Sequence, residues 1–274
     1  MSSTNIADTS SWLPLDGLEP GFDENRAIPT SALEGYEFVS ANASGLQITH
    51  RFAEGRMHWS YPTRTSGRRH RDAAYEAYEV AEGLYYAQIR GEDVPGQAAS
   101  VFIDQTNGRG LTVIATIGEA GSGITAVQHR FIPFAIAGTA VHGELPHESP
   151  DLIGRRAYWR YSKEHAYEHV YLSPQWYTWH CLAGPERGLA DTDVCTTYKL
   201  RDDIYVFTWR EKVIPCGSVT VADHRDHDNL RSHGYLFGLD ETGEKTVHFT
   251  FGAFGKVLNT AHYPSDLDPG ASHD

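Results

Sequence analysis

Residues 204–211 read Ile204-Tyr205-Val206-Phe207-Thr208-Trp209-Arg210-Glu211, and 120 positions earlier the chain reads Leu84-Tyr85-Tyr86-Ala87-Gln88-Ile89-Arg90-Gly91. Each run is short, aromatic and apolar, and the second-half run is preceded by the turn formers Arg201-Asp202-Asp203, the pattern of a strand entered through a tight turn. The same offset relates Trp59/Trp179, Tyr78/Tyr198, Tyr85/Tyr205, Arg90/Arg210, Pro95/Pro215, Val101/Val221, Gly118/Gly238, Gly123/Gly243, Val127/Val247 and Phe131/Phe251. A fixed period of this length makes the folding unit about half the chain.

Working outward from 204–211, short apolar runs separated by turn signals predict strands at 157–161, 167–172, 175–182, 195–200, 204–213, 217–223, 233–239 and 246–252. Their counterparts fall near 36–40, 46–52, 56–61, 75–80, 84–90, 98–104, 111–117 and 124–131. Eight antiparallel strands fit a small closed barrel able to hold one ligand. The fold expected is all-β: an arm over 1–30, a first barrel over 31–150, a second over 151–263 and a polar tail over 264–274.

The 274 residues, 40% hydrophobic and 12% aromatic, suffice for two cores. A net charge of -13 argues against nucleic acid or an anionic membrane as partner. No apolar run approaches a bilayer span and no secretory leader pattern is present, so a cytoplasmic location is expected. A homodimer is compatible with this composition. Cys181, Cys195 and Cys216 lack disulfide or zinc-ribbon spacing and read as reduced packing residues.

Alternation assigns the faces of the decisive strand. Tyr205, Phe207, Trp209 and Glu211 share one side, as do Tyr85, Ala87, Ile89 and Gly91 in the first repeat. With the apolar side turned inward, Glu211 becomes a buried carboxyl among aromatic rings. Its repeat partner is glycine, and an acid of this kind is a functional candidate. The competing expectation is strand alternation failing near the rim, with Glu211 paired to Arg210 or Lys212 in solvent.

Two resemblances attach to these residues. The runs Tyr177-Thr178-Trp179-His180-Cys181-Leu182-Ala183-Gly184, Leu189-Ala190-Asp191-Thr192-Asp193, Ile204 to Glu211 and Arg231-Ser232-His233-Gly234-Tyr235-Leu236-Phe237 resemble the MoaF-type family most closely. That resemblance implies a tandem lipocalin-like (calycin) protein whose family label mentions molybdenum cofactor and which also looks like a product of monoamine-linked operons; the label is not evidence of chemistry. The same half more distantly resembles the phenolic acid decarboxylases, cofactor-free single barrels. Trp209-Arg210-Glu211 matches their Trp-x-Glu, and Arg231-Ser232-His233-Gly234 their later Arg-x-His-Gly. Tyr161 falls where one of their tyrosines stands. Trp159 departs from the other, with Tyr158 adjacent, and Arg187 lies within one residue of their arginine.

On this reading the second barrel holds a small aromatic compound. Glu211 is the general acid or base, Tyr161 and Arg187 hold an oxygen of the substrate, and Trp159, Tyr158, Tyr177, Trp179, Tyr205, Phe207, Trp209 and His233 shape the pocket. No metal or other cofactor is required. The expected activity is that of a lyase, hydratase or isomerase, with a non-catalytic carrier of an aromatic metabolite as the alternative.

Other motifs weigh less. His165-Ala166-Tyr167-Glu168-His169 has HxxEH spacing, but that zinc motif needs a helix, and on a strand Glu168 points away from both histidines. Asp223-His224-Arg225-Asp226-His227-Asp228 reads as a solvated turn, and Gly121-Ser122-Gly123 as a hairpin turn. His180, opposite Tyr177 and Trp179 by alternation, is expected between the barrels.

Overall fold

A computed structural model describes residues 12–63, 67–90, 96–118 and 125–271. Among the described residues a short helix, α1 (Leu15–Leu18), precedes seventeen strands. The first eight are β1 (Glu37–Asn42), β2 (Gln47–Ala53), β3 (Arg56–Pro62), β4 (Arg68–Ala81), β5 (Leu84–Ile89), β6 (Gln97–Asp104), β7 (Arg109–Ile117) and β8 (Val127–Ile136). After the two-residue β9 (His147–Glu148) come β10 (Arg155–Arg160), β11 (Ala166–Ser173), β12 (Trp176–Ala183), β13 (Ala190–Arg201), β14 (Ile204–Arg210), β15 (Cys216–Asp223), β16 (Leu230–Leu239) and β17 (Thr246–Thr260).

Strands β1 to β8 form one closed antiparallel barrel; β10 to β17 form a second, closed by pairing of β12 with β13. Every strand expected from the sequence is present. The boundary near 150 is less tidy, because β9 pairs with β13 of the second barrel. The arm likewise crosses over. Its backbone lies against β17, where a Cβ on Gly252 would stand 2.3 Å from the Asn25 carbonyl oxygen.

Strand register refines the repeat. Through β3–β5 and β12–β14 the offset is 120, so Trp59, Tyr78 and Tyr85 do match Trp179, Tyr198 and Tyr205. Elsewhere unequal turns shift it. Ile103 matches Ala222 and Gly110 matches Ser232, so Val101/Val221 and Gly118/Gly238 are not equivalent positions. Register also brings out a pair hidden at constant offset: His50 and His169 each face the matched tryptophan. Gly91, Pro95 and Gly121-Ser122-Gly123 lie outside the described residues.

Three apolar clusters hold the molecule together: one inside each barrel and a third between them. The third sets Tyr86, Phe102, Leu111 and Val113 of the first barrel against Val206, Val219, Tyr235 and Phe237 of the second. Residues 204–209 are therefore buried on both faces, which is why that run is almost continuously apolar. Each such side chain contributes about 1.5–3 kcal/mol by leaving water. Polar ties cross the same interface. Arg201 grips Asp104 with Nε and Nη2 at 3.0 and 2.6 Å, and Gln88 donates to Thr250 at 2.7 Å.

Candidate active site

The interior of the second barrel is built from alternate residues of neighbouring strands, with Tyr205, Phe207 and Trp209 of β14 inward as alternation requires. Glu211 follows β14 directly, anchored by its backbone N–H to the Cys216 carbonyl. It is 9% exposed and accepts the Trp209 indole N–H at 2.9 Å. The expectation of an inward Glu211 therefore holds, and pairing with Arg210 or Lys212 in solvent does not occur. Arg210 instead binds Gln128 of the first barrel, and Lys212 binds Asp191.

Across from Glu211 on β13 stands Asp193, one step beyond the Val194–Arg210 pair and fully buried. Asp193 accepts the Trp179 indole N–H at 2.9 Å and the Lys212 backbone N–H at 3.1 Å. Burial, and then the neighbouring Asp193 charge, hold the Glu211 carboxyl well above the usual carboxylate range. Burial raises Asp193 as well, opposed by its hydrogen bonds with Glu211 and the Trp179 indole and by the Lys212 charge. Having more donors, Asp193 is the more acidic member of the pair.

Glu211 opens onto a cavity of about 50 Å³ whose wall includes Tyr161, Tyr167, His169, Tyr177, Trp179, Trp209 and Phe251. A second acid, Glu186, lies on the same wall; it accepts the Tyr167 hydroxyl at 3.1 Å and the Leu13 backbone N–H at 3.2 Å, and burial raises its carboxyl. His169 is buried with Nδ1 lacking any hydrogen-bond partner, and burial lowers its imidazole to about 3, so the ring is neutral. An unpartnered buried nitrogen of this kind calls for an explanation, and His169 is one of the residues of the cavity wall.

The arm forms part of this cavity's wall. Trp12 meets Trp179 edge to face, and Phe22 packs on Tyr161 at 5.0 Å and His165 at 4.7 Å. The remaining space admits a few waters but no aromatic ring, since a dry cavity that takes up benzene measures about 150 Å³. Admitting a ring therefore requires the wall to give way, and Trp12, Leu18 and Phe22 are the arm residues in that wall.

Of the residues expected at the site, Glu211, Tyr161, Tyr177, Trp179 and Trp209 line the cavity. Trp159 and Phe207 are buried deeper, in the core. Tyr205 lies toward the barrel's other end, its hydroxyl on Asp151 and Asp203. Three expectations are corrected. Tyr158 sits on the outward face, one residue off the inward Trp159, since neighbours on a strand point oppositely. His233 belongs to the barrel interface, its ring 3.6 Å from that of Tyr78. Arg187 is exposed in the loop after β12, and its predecessor Glu186 takes the inward place.

The lesser motifs also resolve. Glu168 points outward to Arg156 and His180, so His180 lies on the outer face and is partly solvated rather than between the barrels. His224 is fully buried against Trp159 and Tyr205, contrary to the solvated turn expected; only the stretch beyond it is exposed. Asp193, Glu186, His169, Trp12 and Phe22 were not expected at the site. Asp193 and His169 alternate in phase with Trp179 partners and were legible in principle, but the arm was not, because it is distant in sequence from the barrel it closes.

The sequence pattern of the MoaF N-terminal domain matches residues 10–119, and that of the MoaF C-terminal domain matches residues 146–261. Protein MoaF of Klebsiella aerogenes is 37% identical over 147 residues, covering 53% of this chain and 54% of that protein. The chain thus spans about half the length of the curated relative it matches. A crystal structure from Burkholderia vietnamiensis, provisionally labelled a beta-lactamase, aligns with a TM-score of 0.33 at 13% identity over 41% of this chain and 100% of that one. At that level of likeness it says nothing about chemistry.

Proposed function

The chain belongs to the MoaF family, and from the acid pair buried in its second barrel we propose that it is a cofactor-independent enzyme moving protons on a small aromatic compound. Glu211 is the acid of this scheme. Burial inside an aromatic wall raises its carboxyl well above the usual carboxylate range, which suits a general acid. The neighbouring Asp193 favours the protonated form of Glu211, so that Glu211 is the proton donor of the pair. Glu186, on the same wall with the Tyr167 hydroxyl and the Leu13 N–H as its donors, is the second acid–base group. Two carboxyl groups acting on one flat ligand support an isomerisation or an elimination, the lyase or isomerase class. Tyr161 and Tyr177 flank the ring, and His169 Nδ1 accepts a hydroxyl of the substrate. Arg187 has no part in this scheme.

The observation that carries the proposal is the buried Glu211–Asp193 pair opening onto a cavity walled by aromatic rings. A carrier needs the aromatic wall but has no use for a costly pair of buried acids. The test is a panel of phenolic acids, aromatic amines and aromatic aldehydes, scored for tryptophan quenching and then for turnover. Glu211→Gln, which preserves shape, is expected to bind the hit compound within about threefold of wild type and to lose at least about a hundredfold in turnover. Undiminished turnover in Glu211→Gln rules out Glu211 as the acid. Binding without turnover in the wild type leaves the carrier reading standing.

A further inference from the structure

The two barrels match strand for strand, yet their interiors are filled differently. Where the second barrel has Phe207, Trp209, Tyr177 and Asp193 inside, the first has Ala87, Ile89, Met57 and Ala73 at the matched positions. The floor of the first barrel is closed by Phe38, Phe52, Phe134 and Ile136. Its upper half is not. Inward residues Ile48, Trp59, Ala99, Thr112, Ile114 and Ile132 remain partly open to solvent. On β6 and β7 the outward residues Ala98, Phe102, Leu111 and Val113, by contrast, are buried against the second barrel. Apolar side chains that face a lumen and still meet water describe a cup rather than a packed core.

Charge is distributed around this cup in a particular way. Arg69 and Arg71 share the inward face of β4 with Ala73 and Ala77, and Arg71 stands opposite Trp59. Arg130 shares the inward face of β8 with Phe134 and Ile136 and stands opposite Ile114. β4 and β8 are four strands apart around an eight-stranded barrel, so these arginines face one another across the lumen. All three are exposed and make no hydrogen bond or ion pair among the described residues. Elsewhere arginines of these sheets hold acids, as Arg201 holds Asp104 and Arg156 holds Glu168. In a chain of net charge -13, lumen-facing arginines left without acids mark a place kept for an anion from outside.

We propose that the first barrel is a second binding site, for a small organic carboxylate whose flat apolar body lies against Trp59, Ile114 and Ile132 and whose charged head is taken by Arg71 and Arg130. Arginine suits this role because its planar fork matches a carboxylate and its charge persists at all physiological pH. The site is separate from the cavity at Glu211, and its existence does not depend on the reaction proposed there.

The experiment uses the full chain labelled with 5-fluorotryptophan, with the Trp59 resonance assigned from Trp59→Phe. Benzoate and phenylacetate are titrated at low salt beside the uncharged benzyl alcohol. The expected result is a saturable shift of Trp59 with both carboxylates, roughly tenfold or more weakened in benzyl alcohol, in Arg71→Gln/Arg130→Gln, and at high salt. The double variant changes exposed side chains only, so thermal unfolding should match wild type, and Trp209 should respond as in wild type. Absence of any Trp59 shift at millimolar carboxylate overturns the proposal, as does equal affinity in the double variant. If that variant unfolds early, the wild-type comparison of benzoate with benzyl alcohol decides alone, and equal shifts count against it.

Discussion

Trp12 of the N-terminal arm meets Trp179 of the second barrel's wall with ring centroids 5.2 Å apart and planes at 76°. The same Trp179 donates its indole N–H to Asp193. The lid is thus one ring away from the acid pair, and displacement of Trp12 exposes the wall on which Glu211 lies. This makes access to the site a property of the arm.

Trp12→Ala should open the cavity while leaving the barrel intact. A lost edge-to-face pair and its buried area correspond to about 1–2 kcal/mol of stability. Stopped-flow quenching by a phenolic ligand should show a faster association rate. An unchanged rate together with an unchanged urea midpoint would mean that the arm does not gate the site.

Glu186 and Arg187 are neighbours in sequence with opposite roles. Glu186→Ala strands the Tyr167 hydroxyl and the Leu13 N–H, at about 1–3 kcal/mol for loss of a buried acceptor. Arg187→Ala, at an exposed position, should stay within about 0.5 kcal/mol. Urea unfolding of both variants separates the acid from the arginine, and a larger effect at Arg187 would contradict the placement.

Stability should fall on acidification below about pH 6.5. His50, His169, His224 and His233 are buried, and burial lowers each imidazole to about 4, 3, 3 and 3 respectively. In that window the unfolded chain binds protons that the native state refuses, so each histidine lowers stability by up to about 1.4 kcal/mol per pH unit. Glu211 acts with the opposite sign. Its native pKa is raised, so its contribution is full below the unfolded value near 4.3 and is lost as pH rises toward the native pKa. The histidines outnumber it, and the net slope should favour neutral pH. Glu211→Gln should steepen the rise in stability above about pH 4.3 by up to about 1.4 kcal/mol per unit, read from urea midpoints at successive pH values.

The two barrels should unfold together while Arg201 holds Asp104, whose side chain is 3% exposed. Arg201→Met leaves a buried carboxylate facing only Asn107 and Arg109, a loss of about 3–5 kcal/mol. Calorimetry should show the single transition broaden or divide into two. A single sharp transition at the wild-type temperature would show that the apolar interface alone couples the barrels.

Much of this protein is legible in its sequence. Period-two alternation and turn residues located all the strands of both barrels, because these signals are local to a few neighbours along the chain. Alternation alone turned Tyr205, Phe207, Trp209 and Glu211 inward, and the unmatched acid at 211 led to the cavity. The limits of β4, β13 and β17 were underestimated, since their ends pair beyond the apolar runs that announced them.

What the sequence by itself determined is the architecture and the face on which Glu211 lies. Only the tertiary structure decided what surrounds that carboxyl. Asp193 approaches it across a strand pair whose register depends on the turns, and Glu186 rather than Arg187 turns inward because of how one loop folds back. Trp12 and Phe22 arrive from an arm far away in sequence. The constant offset of 120 also survived only where turn lengths are equal. The reason is the same in each case: facing along a strand is set by nearest neighbours, while proximity across a barrel is set by closure, register and the path of the connecting chain.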